Sequence, residues 1–257
     1  MSKSKDQFVL TPYFLDAPLP GLRVVAEPGW VVNEPHLPAG PVQQRMVAIY
    51  EPLAAQVATA VAADRRPVSV AGDCCAALGM AAGLQRSGIK PTLIWFDAHG
   101  DFNTWETSPS GFLGGMPLAM LVGRGEMTMP DGLGLRPLSE LQVYLSDGRD
   151  LDVGEEEALL SSDVNLMPVV GNLKAGLLPL GPLWVHFDVD VLRTADMPAV
   201  NYPAEGGPSA DMLGRVFTAL ARSGQVAAVS VSSWNPALDE DGRARNTALK
   251  LLQLLLA

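Results

Sequence analysis

The stretch TLIWFDAHGD at residues 92–101 joins an apolar run to a cluster of two acids and a histidine. The stretch LWVHFDVD at residues 183–190 has the same form, with two acids directly after an apolar run. Short apolar runs of this kind are typical of strands buried on both faces of a parallel sheet. Because side chains at i and i+2 of a strand share a face, we expect Asp97 to converge with His99, and Asp188 with Asp190.

The acids of the two clusters are expected to surround a bound cation. They are Asp97, Asp101, Asp188 and Asp190. Buried carboxylates repel one another unless they are paired, neutralised or bound to a metal. Carboxylate oxygens with some imidazole favour a divalent ion such as Mn²⁺ over a soft ion. A single Asp-x-Asp pair is more often a helix cap or a solvated turn, so the prediction depends on there being two clusters.

Composition and charge exclude several classes of protein. The chain has 257 residues, of which 48% are apolar and 18% charged, enough for a sizeable core in one α/β domain. Its net charge of −10 argues against nucleic-acid or anionic-membrane partners. We expect no membrane span and no signal peptide, because the apolar runs are too short. The two cysteines, Cys74 and Cys75, are adjacent, which fits a reducing cytoplasm better than a disulfide framework.

Strand and helix patterns alternate along the chain after a proline-rich start. The patterns predict strands near residues 8–10, 67–71, 92–96, 141–145, 165–170, 183–187 and 226–231. They predict helices near residues 42–61, 76–85, 115–122, 155–160, 209–222 and 246–255, although Pro52 is a residue that can break the first. This order indicates a single α/β domain, residues 1–257, with a mainly parallel sheet covered by helices on both faces. Ligands of such folds bind at the carboxyl ends of the strands, where both acidic clusters lie.

The motifs DAHGDFNT at 97–104, SG at 110–111 and DVD at 188–190 together resemble the arginase–agmatinase family of ureohydrolases. The resemblance extends from Gly72 to Pro236. It implies a three-layer arginase-like fold and two divalent metal ions, most often Mn²⁺. It also implies a metal-bridging hydroxide that attacks the guanidino carbon of a small-molecule substrate and releases urea or a relative of it. Members of the family are commonly trimers or hexamers.

The resemblance also implies roles for the acidic residues. Asp97 and Asp188 match the carboxylates that bridge both metals, while His99 and Asp190 match ligands of one metal. Asp101 matches a ligand of the other metal and the catalytic acid that hydrogen-bonds the hydroxide and passes a proton to the leaving amine.

Three further positions match residues that bind the amino-acid end of the substrate in arginases. Asn103 and Ser110 match residues that hold the α-carboxylate, and Asp152 matches one that faces the α-amino group. Together they favour an amino-acid substrate over a decarboxylated amine such as agmatine. The alternative interpretation is that Asn103 and Ser110 are turn residues and that Asp152 caps the following helix.

The chain departs from the family pattern at three positions. Cys74 stands where the family has a metal-binding histidine, so it is either a softer ligand that leaves one site weak or a small buried apolar residue. Gly114 stands where arginases have a histidine at the mouth of the site. Ser233 replaces a carboxylate that pairs with the guanidinium, which should weaken binding of a cationic group by about 1.5–3 kcal/mol. A less basic group would suit Ser233 better.

The cysteine at position 74, together with GDFNT at 100–104 and LGGM at 113–116, makes the chain resemble a minor branch of the family. That branch includes the Nω-hydroxyarginine amidinohydrolases. The function expected from the sequence is therefore metal-dependent cleavage of the guanidino C–N bond of arginine, Nω-hydroxyarginine or a related amino acid. One alternative is a catalytically silent member of the fold with a partial metal site. Another is a metal amidohydrolase that acts on an acetylated amine or a formimino group.

His186, two residues before Asp188, is expected to be a core histidine or a support for the metal ligands.

Overall fold

The computed structural model describes residues 5–173 and 180–257, and these residues contain ten strands and seven α-helices. The strands are β1 (Asp6–Thr11), β2 (Tyr13–Phe14), β3 (Ala17–Pro18), β4 (Val31–Val32), β5 (Arg66–Ala71), β6 (Thr92–Asp97), β7 (Val143–Asp147), β8 (Asn165–Met167), β9 (Leu183–Asp188) and β10 (Val226–Ser232). The helices are α1 (Val42–Ala62), α2 (Ala77–Arg86), α3 (Pro117–Leu121), α4 (Thr128–Gly132), α5 (Val153–Leu160), α6 (Ala210–Arg222) and α7 (Arg243–Leu256).

Eight of the strands form one sheet in the order β4-β1-β5-β10-β9-β6-β7-β8, and every pairing in it is parallel. The other two strands, β2 and β3, form a small antiparallel ribbon. The predicted parallel sheet is therefore confirmed. Within it β5, β10, β9 and β6 are consecutive neighbours, so the loops that follow these four strands meet at one edge.

Alternate side chains of β6 enter two different cores, which is why the run from 92 to 96 is apolar throughout. Leu93 and Trp95 pack in the core beneath α1 and α2, whereas Ile94 and Phe96 pack in the core beneath α6 and α7. On the second side, the Phe217 ring of α6 meets the Phe96 ring edge-on at 5.1 Å between centroids. Helices therefore cover both faces, as predicted.

Some element boundaries differ from the sequence prediction. Helix α1 continues through Pro52, because Ile49, Leu53 and Val57 on either side of it are fully buried along one face. Burial of such a face outweighs the cost of about 3 kcal/mol of an interior proline. The strand predicted from 141 begins at Val143, and the one predicted to 170 ends at Met167.

Among the described residues, no helix has the length and apolarity needed to cross a membrane.

Candidate metal centre and active site

The sequence-predicted site residues come together at the carboxyl edge of the sheet. A cavity of about 710 Å³ lies there. Nine of the ten candidates line it, namely Cys74, His99, Asp101, Asn103, Ser110, Asp152, Asp188, Asp190 and Ser233. The tenth, Asp97, is 1% exposed, and its Oδ1 lies 3.3 Å from His99 Nδ1. The structure therefore brings the candidate residues together at one place, and the role of each stays a prediction.

In both the Asp-x-His and the Asp-x-Asp segment, the first aspartate closes a turn by accepting a hydrogen bond from the backbone amide two residues later. Asp97 Oδ1 accepts a hydrogen bond of 2.8 Å from the His99 amide. Asp188 Oδ1 accepts one of 2.9 Å from the Asp190 amide. Such Asx turns satisfy amides that the end of a strand leaves without partners. Each turn leaves the second oxygen of its aspartate available to the cluster.

His99 lies between two carboxylates. Its Nδ1 is 3.3 Å from Asp97 Oδ1 and 3.2 Å from Asp190 Oδ2, and these three side chains could hold one metal ion. Burial lowers the pKa of His99, but hydrogen bonds to Asp190 and Asp97 and their charges outweigh it and raise the pKa to about 12. Burial and the charge of Asp97 raise the pKa of Asp190 to about 6. The two carboxylates therefore favour the protonated, positively charged form of His99.

Cys74 follows β5 and belongs to the same cluster. Its thiol donates a hydrogen bond of 2.7 Å to Asp188 Oδ2 and lies 3.8 Å from Asp97 Oδ2. Cys74, Asp97 and Asp101 form a second group able to hold a metal ion. Burial, and then the charges of Asp188 and other neighbouring acids, raise the pKa of Cys74. The side chain is thus in contact with the acidic cluster and is not packed among apolar groups alone.

Asp101 is held in an unusual state. Its φ of 51° lies in the left-handed region, which is costly for a residue other than glycine and is frequent at functional sites. Its side chain is buried, and among the described residues Oδ2 finds no hydrogen-bond partner. Burial and the charges of Asp97 and Asp188 raise its pKa well above the usual range. In a folded protein such a group usually has a catalytic role or binds an ion or a water.

The candidate substrate-binding residues differ in how firmly they are placed. Asn103 Nδ2 donates a hydrogen bond of 3.0 Å to Asp152 Oδ2. Asp152 also forms the capping box of α5 with Glu155, so it caps a helix and faces the cavity at once. Ser110 is exposed at the rim. The Ser233 hydroxyl donates a short hydrogen bond to Asp188 Oδ2 and is thereby engaged with the acidic cluster.

Two residues that the sequence analysis did not single out hold the loops of the site. The Glu155 carboxylate accepts a hydrogen bond of 2.8 Å from the Phe102 amide, and so fixes the loop after β6. The Arg149 guanidinium lies 2.6 Å from Asp147 Oδ2 and donates to the carbonyls of Asp190 and Val191 after β9. The capping-box spacing Asp-x-x-Glu at 152–155 was the sequence signal for Glu155.

His186 is part of β9, and its side chain contacts Cys74. Its Nε2 is 3.3 Å from Cys74 Sγ, its Nδ1 is 2.8 Å from Ser230 Oγ, and its ring stacks on Trp95 at 3.6 Å between centroids. The Trp95 indole in turn donates a hydrogen bond of 3.0 Å to Asp97 Oδ2. Burial lowers the pKa of His186 to about 3, so the imidazole is neutral. His186 therefore contacts the cluster directly.

Gly114 occupies the mouth of the cavity, and an aromatic ring fills the space beside it. A Cβ added at Gly114 would lie 2.3 Å from Phe112 Cε1. The Phe112 ring also stacks on Phe14 at 6.3 Å and meets Tyr202 at 5.2 Å between centroids. The mouth is therefore lined by three aromatic rings.

Comparisons with known proteins agree with this arrangement. The profile of the Arginase family matches residues 30–257. The arginase of Bacillus subtilis is 30% identical over 80% of this chain and 74% of its own. An N(omega)-hydroxy-L-arginine amidinohydrolase of Streptomyces lavendulae is 27% identical over 98% of this chain and 85% of its own. The crystal structure of the Bacillus subtilis arginase superposes with a TM-score of 0.85 at 25% identity and covers 99% of both chains. The chain therefore belongs to the arginase family of hydrolases.

Proposed function

We propose that this protein is a metal-dependent amidinohydrolase that cleaves the guanidino C–N bond of a guanidino amino acid. The observation that carries the proposal is the convergence of buried carboxylates around Asp101, whose Oδ2 is without a partner among the described residues. In the overall reaction, water adds its oxygen to the guanidino carbon, the bond from that carbon to the side-chain nitrogen breaks, and the amine leaves with a proton. The second product is urea, or hydroxyurea from an N-hydroxylated guanidine.

The donor atoms of the cluster fit divalent cations. His99, Asp97 and Asp190 would hold one ion, and Cys74, Asp97 and Asp101 would hold the other. Asp188, which is hydrogen-bonded to Cys74 and whose loop carries Asp190, would serve both. The oxygen and imidazole donors of the first group suit Mn²⁺. Divalent ions bound there would lower the pKa of a coordinated water and so supply a nucleophile near neutral pH.

Asp101 is the residue best placed to move the proton. Asp101 lines the cavity, and its Oδ2 has no partner among the described residues, so this oxygen is free to contact both the attacking water and the leaving amine. A carboxylate in that position can accept the proton of the water and donate it to the amine. The strained left-handed backbone at Asp101 agrees with such a role.

Asn103, Ser110 and Asp152 are proposed to bind the amino-acid end of the substrate. The hydrogen bond between Asn103 and Asp152 orients both side chains before substrate arrives. The Asp152 carboxylate would accept hydrogen bonds from an α-ammonium group, and the Asn103 amide and Ser110 hydroxyl would donate to an α-carboxylate. A preformed pair of this kind reduces the entropy lost on binding.

Ser233 supports a preference for a weakly basic guanidine. Its hydroxyl is bonded to Asp188, so it offers no charge to a guanidinium. A cationic arginine side chain would lose a charge-assisted hydrogen bond of about 1.5–3 kcal/mol that a carboxylate could make. Because N-hydroxylation lowers the basicity of the group, we propose Nω-hydroxyarginine as the preferred substrate, in agreement with the Streptomyces relative.

Three broader predictions accompany this function. We propose that residues 1–257 form one domain and that the protein assembles as a trimer or hexamer, as is common in the family. The two cysteines are free and buried, which agrees with a cytoplasmic location.

The test is product analysis with purified protein loaded with Mn²⁺, Zn²⁺ or Co²⁺. L-Arginine, Nω-hydroxy-L-arginine, agmatine and N-formimidoylglutamate are each supplied, and amine and urea-type products are identified by mass spectrometry. We expect turnover of Nω-hydroxyarginine and loss of it in Asp101→Asn. Little change is expected in Asp64→Asn, which alters an exposed aspartate that also has a left-handed backbone but lies outside the cavity. Protein that binds two metal ions and releases no product from any of the four substrates would be a silent member of the fold.

A further inference from the structure

We infer that His186 is a metal ligand, and that with Cys74 and Asp188 it forms a mixed nitrogen, sulfur and oxygen site that selects Zn²⁺ or Co²⁺ over Mn²⁺. The inference rests on the proposed metal-dependent function of the same cavity and assigns one of its two ions. The two metal sites would then differ in ion preference. The site at His186 suits a borderline-soft ion, and the site around His99 suits a hard ion.

The three donor atoms already lie at nearly the required separations. His186 Nε2 and Cys74 Sγ are 3.3 Å apart, and all three donors lie within 4.8 Å of one another. A tetrahedral metal with bonds of about 2.3 Å to sulfur and about 2.0 Å to nitrogen holds those two donors about 3.5 Å apart. The contact of 2.7 Å between Cys74 and Asp188 would open by several tenths of an ångström once a metal replaces the thiol proton.

The imidazole is oriented as metal-binding histidines usually are. Such histidines donate their other ring N–H to a fixed acceptor, which sets the tautomer and directs the free nitrogen to the metal. Here Nδ1 lies 2.8 Å from Ser230 Oγ, and Trp184 Nε1 fixes that hydroxyl with a hydrogen bond of 2.9 Å. With Nδ1 protonated, the Nε2 lone pair faces Cys74.

A neighbouring carboxylate supplies an independent observation for a metal at this group. The Asp101 carboxylate is 5% exposed, forms a neighbouring donor group with Cys74, and has Oδ2 without a partner in the described part of the chain. It would complete the coordination on the cavity side. Ser232 Oγ lies 3.1 Å from Cys74 Sγ and 3.2 Å from His186 Nε2, so a hydroxyl supports both donors.

The main experiment is spectroscopic and does not depend on activity. Metal-free protein is titrated with one equivalent of Co²⁺ or Zn²⁺ without substrate. We expect a thiolate-to-Co²⁺ charge-transfer band in the near ultraviolet, and X-ray absorption of the zinc form with one sulfur at about 2.3 Å and imidazole scattering. Because the sequence has three histidines and His36 is exposed, a His99→Asn variant leaves His186 as the buried source of imidazole.

Variants with matched controls complete the test. Cys74→Ser should abolish the band, whereas Cys75→Ser, whose thiol lies 3.5 Å from the Leu113 carbonyl, should leave it unchanged. His186→Asn should remove the imidazole signal and weaken Zn²⁺ binding by at least about tenfold, whereas His36→Asn should change neither. If His186→Asn does not fold, the X-ray absorption spectrum of His99→Asn still shows whether His186 binds the metal. Zinc bound without sulfur, or with sulfur and no imidazole in His99→Asn, overturns the inference, and product formation in such a sample would leave the proposed function standing.

Discussion

The Glu155 carboxylate accepts the Phe102 amide hydrogen at 2.8 Å, and so fastens the start of α5 to the loop that carries His99 and Asp101. Glu155 is 2% exposed, and burial, opposed by this hydrogen bond, raises its pKa to about 7. Gly100 allows the approach, because a Cβ at that position would lie 2.6 Å from Glu155 Oε1.

Removal of this contact should loosen the site. Glu155→Ala leaves a buried amide without an acceptor and breaks the capping box, at a cost of about 1–3 kcal/mol in the free energy of unfolding. Urea denaturation measures that cost, and kcat should fall with it because Asp101 is no longer held. Glu156→Ala removes an exposed neighbouring carboxylate and is the control. Equal stability and activity in both variants would show that Glu155 holds nothing in place.

Arg149 should matter to the metal more than to the substrate. Its guanidinium joins Asp147 to the carbonyls of Asp190 and Val191, a set of contacts that the single ammonium group of lysine cannot reproduce. Arg149→Lys should therefore weaken Mn²⁺ binding about tenfold, as loss of supporting contacts does, when measured by calorimetry. In Arg193→Lys, which changes an exposed pair with Asp196, the affinity should be unaffected. An unchanged affinity in Arg149→Lys would contradict this role.

The metal-free protein should lose stability as the pH rises. In the folded protein the pKa of Asp190 is about 6, above the ordinary value of about 3.9. The folded state therefore binds this proton more tightly than the unfolded chain. The stability contributed is fully present below pH about 4 and is lost as the pH rises through about 6. The measurement is thermal unfolding of chelator-treated protein between about pH 4.5 and about pH 7.5, a range that spans the folded pKa of Asp190. The unfolding temperature should fall as the pH rises.

Metal binding should have the opposite pH dependence and become stronger as the pH rises. Metal binding must displace protons from Asp190 and His99, so the apparent affinity for Mn²⁺ should rise between pH about 5.5 and about 7.5. Calorimetry in buffers with different ionisation enthalpies counts the protons released. An affinity independent of pH, with no proton release, would mean that the ion does not bind at these residues.

The sequence predicted the sheet and the location of the site because the signals for both are local. Continuous apolar strands require a sheet covered on both faces, and the acids directly after β6 and β9 could lie only at its carboxyl edge. The contacts of Arg149 and His186 could not be predicted in this way. Arg149 reaches carbonyls more than 40 residues later, and His186 meets Cys74 across 112 residues, so both depend on strand order. The continuation of α1 through Pro52 likewise depends on tertiary burial.

Ser233 should control the choice between basic and weakly basic guanidines. Ser233→Glu places a carboxylate beside the cavity and should lower the KM for arginine relative to Nω-hydroxyarginine. The expected factor is about 10 to 150, which corresponds to about 1.5–3 kcal/mol. Ser233→Gln, of similar size but neutral, should leave the ratio of the two KM values nearly unchanged. Both variants lose the hydrogen bond to Asp188, so any common effect on kcat cancels in the comparison. A similar shift in both would exclude charge as its cause.

The aromatic ring of Phe112 and the absence of a side chain at Gly114 should be energetically coupled. Because a Cβ at position 114 would lie 2.3 Å from Phe112 Cε1, Gly114→His must displace that ring from its contacts with Phe14 and Tyr202. We expect the single variant to raise KM about tenfold, the cost of about 1.4 kcal/mol of lost aromatic contact. Phe112→Ala alone opens the mouth and should also raise KM. In the double variant the histidine can occupy the space that the ring has left, so its KM should be lower than the product of the two single effects predicts. Strictly multiplicative effects in this double-mutant cycle would show that the ring does not occupy the position of the missing side chain.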